Sequence, residues 1–145
     1  MSILTPQQSA FIESNRMAAM ITVGRDGRPR AVRIAYSVID GQIWSSGTQK
    51  RVRTRRLRKD PRCTLFVFDP VYSFLTLQTE VTILDGPDAP QLNLRYFRAL
   101  QGRPEGPLSW MGQEMDEEQF LQAMVADERL IYRFEVQHAS GDIRV

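Results

Sequence analysis

The stretch Gly47-Thr48-Gln49-Lys50-Arg51-Val52-Arg53-Thr54-Arg55-Arg56-Leu57-Arg58-Lys59-Asp60-Pro61-Arg62 decides how the rest of the chain is read. Seven cations fall within the ten residues from Lys50 to Lys59, and no acid interrupts them before Asp60. Gly47 and Thr48 have the form of a turn and a helix N-cap. Asp60-Pro61 is a stop, because a residue before proline is driven out of helical geometry. Only Val52 and Leu57 are apolar between these ends, so the expected helix buries little. Cationic neighbours such as Arg51 with Arg55 and Arg55 with Lys59 repel by roughly 0.2–0.5 kcal/mol per pair on an exposed helix. A phosphate would offset that cost, since free backbone N–H groups, the helix dipole and guanidinium forks converge at a helix start. A solvated basic face is the competing reading.

The charge of the whole chain points the same way. Residues 1 to 62 carry 13 Lys+Arg against 4 Asp+Glu, and residues 63 to 145 carry 6 against 13, although the net charge is only +2. An anionic ligand belongs with the first half. Arginine outnumbers lysine by 17 to 2, which suits bidentate phosphate binding and also follows from GC-rich codon usage. The length suits one domain, 1–145, with a core of its own. No apolar run approaches the roughly 20 residues of a membrane span, and the N-terminus lacks the form of a signal peptide, so a cytoplasmic protein is expected. One cysteine, Cys63, and one histidine, His138, leave no disulfide, no cysteine cluster and no histidine-rich metal site. Cys63 lies in an apolar segment and reads as a buried, inert thiol.

Working outward, Thr5-Pro6-Gln7-Gln8 is a helix start with a capping threonine, proline at the first helical position and glutamine at the third. That helix is expected to run to about Ser14, with Ala10, Phe11 and Leu4 towards a sheet. Six antiparallel strands follow. They are 17–23; 29–39 after the turn Gly24-Arg25-Asp26-Gly27; 42–46 after the hairpin signal Asp40-Gly41; 63–68; about Tyr72 to Leu84; and 129–136. A helix over 89–100 aligns Leu92, Tyr96 and Leu100 on one face. Gln101 to Gly112 reads as a loop in which Trp110 either covers a ligand or anchors the loop. Asp116-Glu117-Glu118 opens a last helix with acids at its positive end. Six such strands, with a helix inserted after the third, make a small barrel with helices outside.

Catalytic side chains are scarce. His138 has no partner signature and reads as a surface or strand-end histidine, and there is neither a phosphate-binding Walker loop nor a dinucleotide fingerprint. No residue is assigned a catalytic role and none a metal. If the protein is an enzyme, a cofactor must carry its chemistry.

The order of helix, strand, Gly24-Arg25-Asp26-Gly27-Arg28-Pro29, strand, Asp40-Gly41, strand and then Lys50 to Arg62 resembles the pyridoxamine 5′-phosphate oxidase-like split β-barrel proteins. More narrowly it resembles their flavin/deazaflavin-dependent oxidoreductase branch, whose members bind FMN or coenzyme F420. The resemblance implies a mainly β fold with flanking helices, a six-stranded antiparallel split β-barrel. It also implies a homodimer with two cofactors at the subunit interface, each phosphate held by the basic helix of one subunit. By position the phosphate pair falls on Arg51 and Arg53, with Lys50 and Arg55 nearby. Residues Arg30 to Arg33, among them Val32, match those lining the cofactor ring; Val32 and Arg33 replace small polar residues common in relatives. Ser45, Ser46, Gly47 and Thr48 match the strand end and helix start beneath the ribityl chain and phosphate. Tyr72 matches an aromatic that reaches the partner's cofactor, or else it is an edge aromatic of the dimer core. The expected activity is hydride transfer between reduced F420 and a small organic molecule. FMN as cofactor, or cofactor binding without turnover, are the alternatives, and a nucleic-acid module is the rival from another class.

Overall fold

A computed structural model of the chain describes residues 3 to 144. Its elements in chain order are α1 (Pro6–Glu13), β1 (Met17–Val23), β2 (Pro29–Ala35), β3 (Ser37–Ile39), β4 (Gln42–Thr48), α2 (Val52–Lys59), β5 (Arg62–Phe68), β6 (Phe74–Leu84), α3 (Ala89–Gln101), β7 (Leu108–Trp110), β8 (Gln113–Met115), α4 (Glu117–Ala126) and β9 (Arg129–Asp142). Seven strands form one antiparallel sheet in the order β2-β1-β5-β6-β9-β4-β3, and β7 pairs with β8 alone.

Six strands become seven because the segment 29–39 divides at Tyr36. The two pieces are the two edges of the sheet, so one continuous backbone joins edge to edge and the sheet must curl into a split barrel. Polar contacts hold that junction. The Ala35 carbonyl accepts from Ser45 Oγ at 2.7 Å and Tyr96 Oη at 3.0 Å, while the buried Tyr36 hydroxyl donates to the Ile12 carbonyl at 2.6 Å. Burial pushes the Tyr96 phenol up to about 12.

Alternation fills the interior. Ala18, Met20, Ile34, Ile43, Leu65, Val67, Leu75, Leu77, Tyr132 and Phe134 form one buried cluster with Phe11, Ile12 and Leu57 from the first two helices. Helix α1 is capped as expected, by the reciprocal Thr5–Gln8 box, but it buries Phe11 and Ile12 while Ala10 stays exposed. Cys63 is buried in this core, and its thiol is pushed up to about 12 by desolvation.

Segment 85–128 lies against the outside of the barrel. Leu92, Tyr96 and Leu100 share a face, as expected, and pack on Ile39, Trp44 and Ile131. The expected loop over 101–112 is partly ordered as β7, whose turn into β8 uses Met111 and Gly112 at positive φ. Leu108, Phe120 and Met124 form a small core of their own behind α3. The acids at 116–118 do more than face a dipole, since Asp116 and Gln119 cap α4 reciprocally.

Candidate anion site at the start of the basic helix

The basic segment forms a helix, but its start differs from expectation. Gly47 and Thr48 are the last residues of β4, and the N-cap of α2 is Arg51, which offers no side-chain cap. The sheet supplies what the cap does not. Thr54, fully buried one turn into α2, donates from its hydroxyl to the Thr48 carbonyl at 2.7 Å and meets the Tyr132 hydroxyl in a very short contact. A Cβ on Gly47 would overlap the Tyr132 ring, so glycine is what lets β9 press its tyrosine against β4. Gly47, Tyr132 and Thr54 thus lock the helix start onto the strand end.

Around this lock gather Arg51, Arg53 and Arg129. Arg53 is half-buried and its Nε is a buried donor without a hydrogen-bond partner among the described residues. Its guanidinium holds its proton less firmly than usual. Burial is the first cause and the Arg51 cation the second, with the Tyr132 hydroxyl offsetting in part and Arg129 adding to the effect. A buried donor left unmade costs roughly 1–3 kcal/mol, more when charged. An anion placed here would satisfy it and relieve the repulsion among the three guanidinium groups. The residues present therefore fit a phosphate.

Arg129 is the member that sequence reading missed. It opens β9 directly across from Thr48. Its Nε donates to Asp127 at 2.7 Å, its Nη1 reaches Ser46 Oγ at 3.5 Å, and its guanidinium lies 4.9 Å from the centre of the Trp110 ring. Trp110 itself stands edge-on to Phe97 and Phe120. It anchors its hairpin, the second of the two readings of that residue, and lies over Arg129. Charge counting hid Arg129, because it sits in the acidic half of the chain.

The other expected residues fall as follows. Ser45 is committed to the Ala35 carbonyl, and Ser46 donates to Asn93 Oδ1 at 2.5 Å. Thr48 is half-buried at the end of β4. Lys50 makes an exposed pair with Glu128 at 3.4 Å, and Arg55 is exposed. On β2, Arg30 is paired to Asp26 at 3.0 Å, Arg33 is exposed, and Val32 packs against the barrel core. Tyr72 precedes β6 instead of opening it. Its loop is pinned by Asp69, whose Oδ1 accepts from the N–H groups of Val71, Tyr72 and Ser73, and its ring is stacked by Arg144 at 3.9 Å. His138 is exposed, within β9 and beside a bulge, not at a strand end. Among the described residues no helix is long and apolar enough to cross a membrane.

Known proteins share this fold. The fold superposes on the conserved hypothetical protein Rv2991 from Mycobacterium tuberculosis with a TM-score of 0.73, at 22% identity, over 96% of this chain and 84% of that one. An F420 reductase matches with a TM-score of 0.65 at 21% identity, over 91% and 94% of the two chains. A FAD-binding protein from Mesorhizobium loti matches with a TM-score of 0.61 at 14% identity, over 92% and 87%. At these identities the likeness speaks for the fold. The sequence-family comparison speaks for descent, since the family model described as Pyridoxamine 5'-phosphate oxidase matches residues 4–134. With the split barrel, the locked basic helix and that match across most of its length, the chain belongs to the pyridoxamine 5′-phosphate oxidase family of flavin-type oxidoreductases.

Proposed function

We propose that this protein is a cytoplasmic, homodimeric F420-dependent oxidoreductase that passes a hydride between the deazaflavin and a small organic substrate. The observation that carries the reading is the buried, unpartnered Arg53 Nε inside the Arg51, Arg53 and Arg129 cluster. When bound, the cofactor supplies the hydride chemistry, which suits a chain poor in catalytic side chains. The residues of the chain bind and orient it. Arg51 and Arg53 hold the phosphate, Arg129 holds the same charge from the β9 side, and the N-terminal turn of α2 adds its dipole. Ser46 and Thr48 lie beneath, with Lys50 and Arg55 at the rim. The β2 residues Arg30, Val32 and Arg33 present strand backbone to the ring. Arg55 and Lys59, which have no acidic partner among the described residues, favour F420 over FMN because its tail carries further negative charge. FMN remains the second reading, since the Arg51–Arg53 site would hold its phosphate equally well.

The second subunit belongs on the outer face of the sheet at the end formed by the start of β1, the end of β5 and the start of β6. Phe66 contacts Phe68 and Phe74 there at ring separations of 5.4 and 5.7 Å. Phe68 is 56% exposed and Val71 88%, with Met17 and Tyr72 also open, so exposed apolar side chains gather at this end of the sheet. Tyr72, held rigidly at the edge of this face, is placed to approach the partner's cofactor.

The test is a fluorescence titration of the apo-protein with F420 and with FMN at two salt concentrations, repeated on Arg51→Ala/Arg53→Ala. F420 should bind more tightly than FMN, and the double variant should lose most of that affinity while keeping its fold. FMN preference assigns the second reading, and wild-type protein binding neither would overturn both. Phe68→Glu should convert a dimer to a monomer in sedimentation equilibrium; a monomeric wild-type protein refutes the dimer.

A further inference from the structure

A cavity of about 280 Å3 opens on the other flank of α2, towards β1, β5 and β6. Its walls are made by residues that the anion site does not use. Arg56, one turn after Arg53, reaches it from the helix and is half-buried with no ion pair to any described residue. Among the described residues Asp60 is the only acid in its wall, and that carboxylate is already taken. Arg62 holds both of its oxygens, Nε on Oδ1 at 2.9 Å and Nη2 on Oδ2 at 2.8 Å, and the Arg62 N–H adds a third bond at 3.2 Å. Among the described lining residues that leaves the charge of Arg56 uncompensated, while the acid just outside the wall, Glu80, accepts from Gln137 Nε2 at 3.0 Å.

A second observation points into the same space. Thr22 lines the cavity, is only 6% exposed, and its hydroxyl makes no hydrogen bond to a described group. The neighbouring Thr79 hydroxyl, by contrast, is satisfied by the Cys63 carbonyl at 2.7 Å. The β6–β9 ladder is broken beside it, where the register steps past Gln137 and turns that residue to the cavity. Such bulges re-aim side chains next to sites. Ile21 and Val23 supply an apolar wall, and the Cys63 thiol, neutral in its buried setting, adds no negative charge.

We propose that this cavity is a second binding site, separate from the cofactor's, and that it takes a small organic carboxylate with its charge on Arg56, a hydrogen bond from Thr22 and its apolar body against Ile21 and Val23. One uncompensated cation matches a monoanion, and a dianion such as free phosphate would be only half neutralised. The volume suits a molecule smaller than most drug-sized ligands. The site does not depend on which flavin the protein holds, or on whether it holds one.

Ligand-detected NMR with benzoate, and with benzamide as its neutral isostere, tests the proposal on wild-type protein, Arg56→Gln, Thr22→Val and Arg51→Ala/Arg53→Ala. Benzoate should bind saturably and at least about tenfold more tightly than benzamide, the difference expected of a charge-assisted hydrogen bond. Arg56→Gln should erase that preference, Thr22→Val should weaken both probes, and the double variant should bind benzoate as the wild type does. The proposal is overturned if wild-type protein shows no saturable benzoate binding, or if benzamide binds equally well. It is equally overturned if Arg56→Gln changes nothing, or if the double variant loses the site.

Discussion

Helices α1 and α2 are both eight residues long, and they close opposite ends of the same barrel. Helix α1 sits where β4 begins and carries three strong local signals, a reciprocal cap, proline in the first turn and two large apolar side chains in the core. Helix α2 sits where β4 ends and lacks all three, though its last turn is basic as the dipole favours. It has no side-chain cap, no proline in its first turn and a single large apolar anchor, Leu57. What α1 derives from its own sequence, α2 takes from the sheet, through Gly47, Tyr132 and Thr54. Helices that violate local preferences and are held from outside are where function is expected, because the violation has to be compensated elsewhere.

The sharpest way to break this comparison is to attack the lock. Gly47→Ala should cost about 2–3 kcal/mol in denaturant unfolding, since the Tyr132 ring cannot move without disturbing the core. A cost near zero would mean that α2 is held some other way. Thr54→Val keeps the volume but removes the buried hydroxyl that joins the Thr48 carbonyl to Tyr132 and should cost about 1–3 kcal/mol. At the other end, Thr5→Ala removes only a cap and should cost about 1 kcal/mol, with no effect on cofactor affinity. Arg53→Met should do the reverse. Stability without cofactor should hold or rise by about 1 kcal/mol, because an unpaired buried cation is removed, while the rise in Tm on adding F420 or FMN disappears. If Thr5→Ala changed affinity and Arg53→Met did not, the division of labour between the two helices would be refuted.

The smallest effect concerns pH. Hydrogen bonds from the Arg62 guanidinium, then from its backbone N–H, hold the Asp60 carboxyl down to about 2. A carboxylate depressed in the folded state contributes stability above its unfolded pKa, roughly 3.9, and loses it as pH falls towards the folded value. Asp60 is solvent-exposed, so the change in stability is slight and its own titration is the better readout. Carboxyl chemical shifts should place Asp60 near 2 in the wild type and back towards the ordinary value in Arg62→Gln. An ordinary value in the wild type would free the Asp60 charge and change the balance in the cavity beside Arg56.

Much of this molecule was legible locally. The α1 cap, the strands β1 and β5, the Asp40-Gly41 turn and the buried thiol of Cys63 each depend on neighbours close in sequence or on the chemistry of one side chain. The family resemblance was legible too, since it rests on turn and helix signals that are contiguous between residues 19 and 62. The start of α2 was misplaced because Gly47-Thr48 has the composition of a cap, whereas Gly47 is required by a tyrosine 85 positions later in the chain. The break at Tyr36 was invisible for a similar reason. Residues 29–39 alternate well enough for one strand, and only barrel closure, with Ser45 and Tyr96 both reaching the Ala35 carbonyl, makes two of them.

By itself, then, the sequence determined that a barrel of short antiparallel strands carries a cation-rich helix suited to an anion. Periodicity, turn chemistry and charge density are properties of contiguous residues. Only the tertiary structure decided which cations converge. It joined Arg129 to Arg51 and Arg53 through β4–β9 pairing and a tryptophan from the outer hairpin, and it committed Ser45 to the barrel seam. It also set Arg56 apart over a cavity of its own. Convergence of distant residues is a matter of strand register and packing, and neither is written in any one segment of the chain.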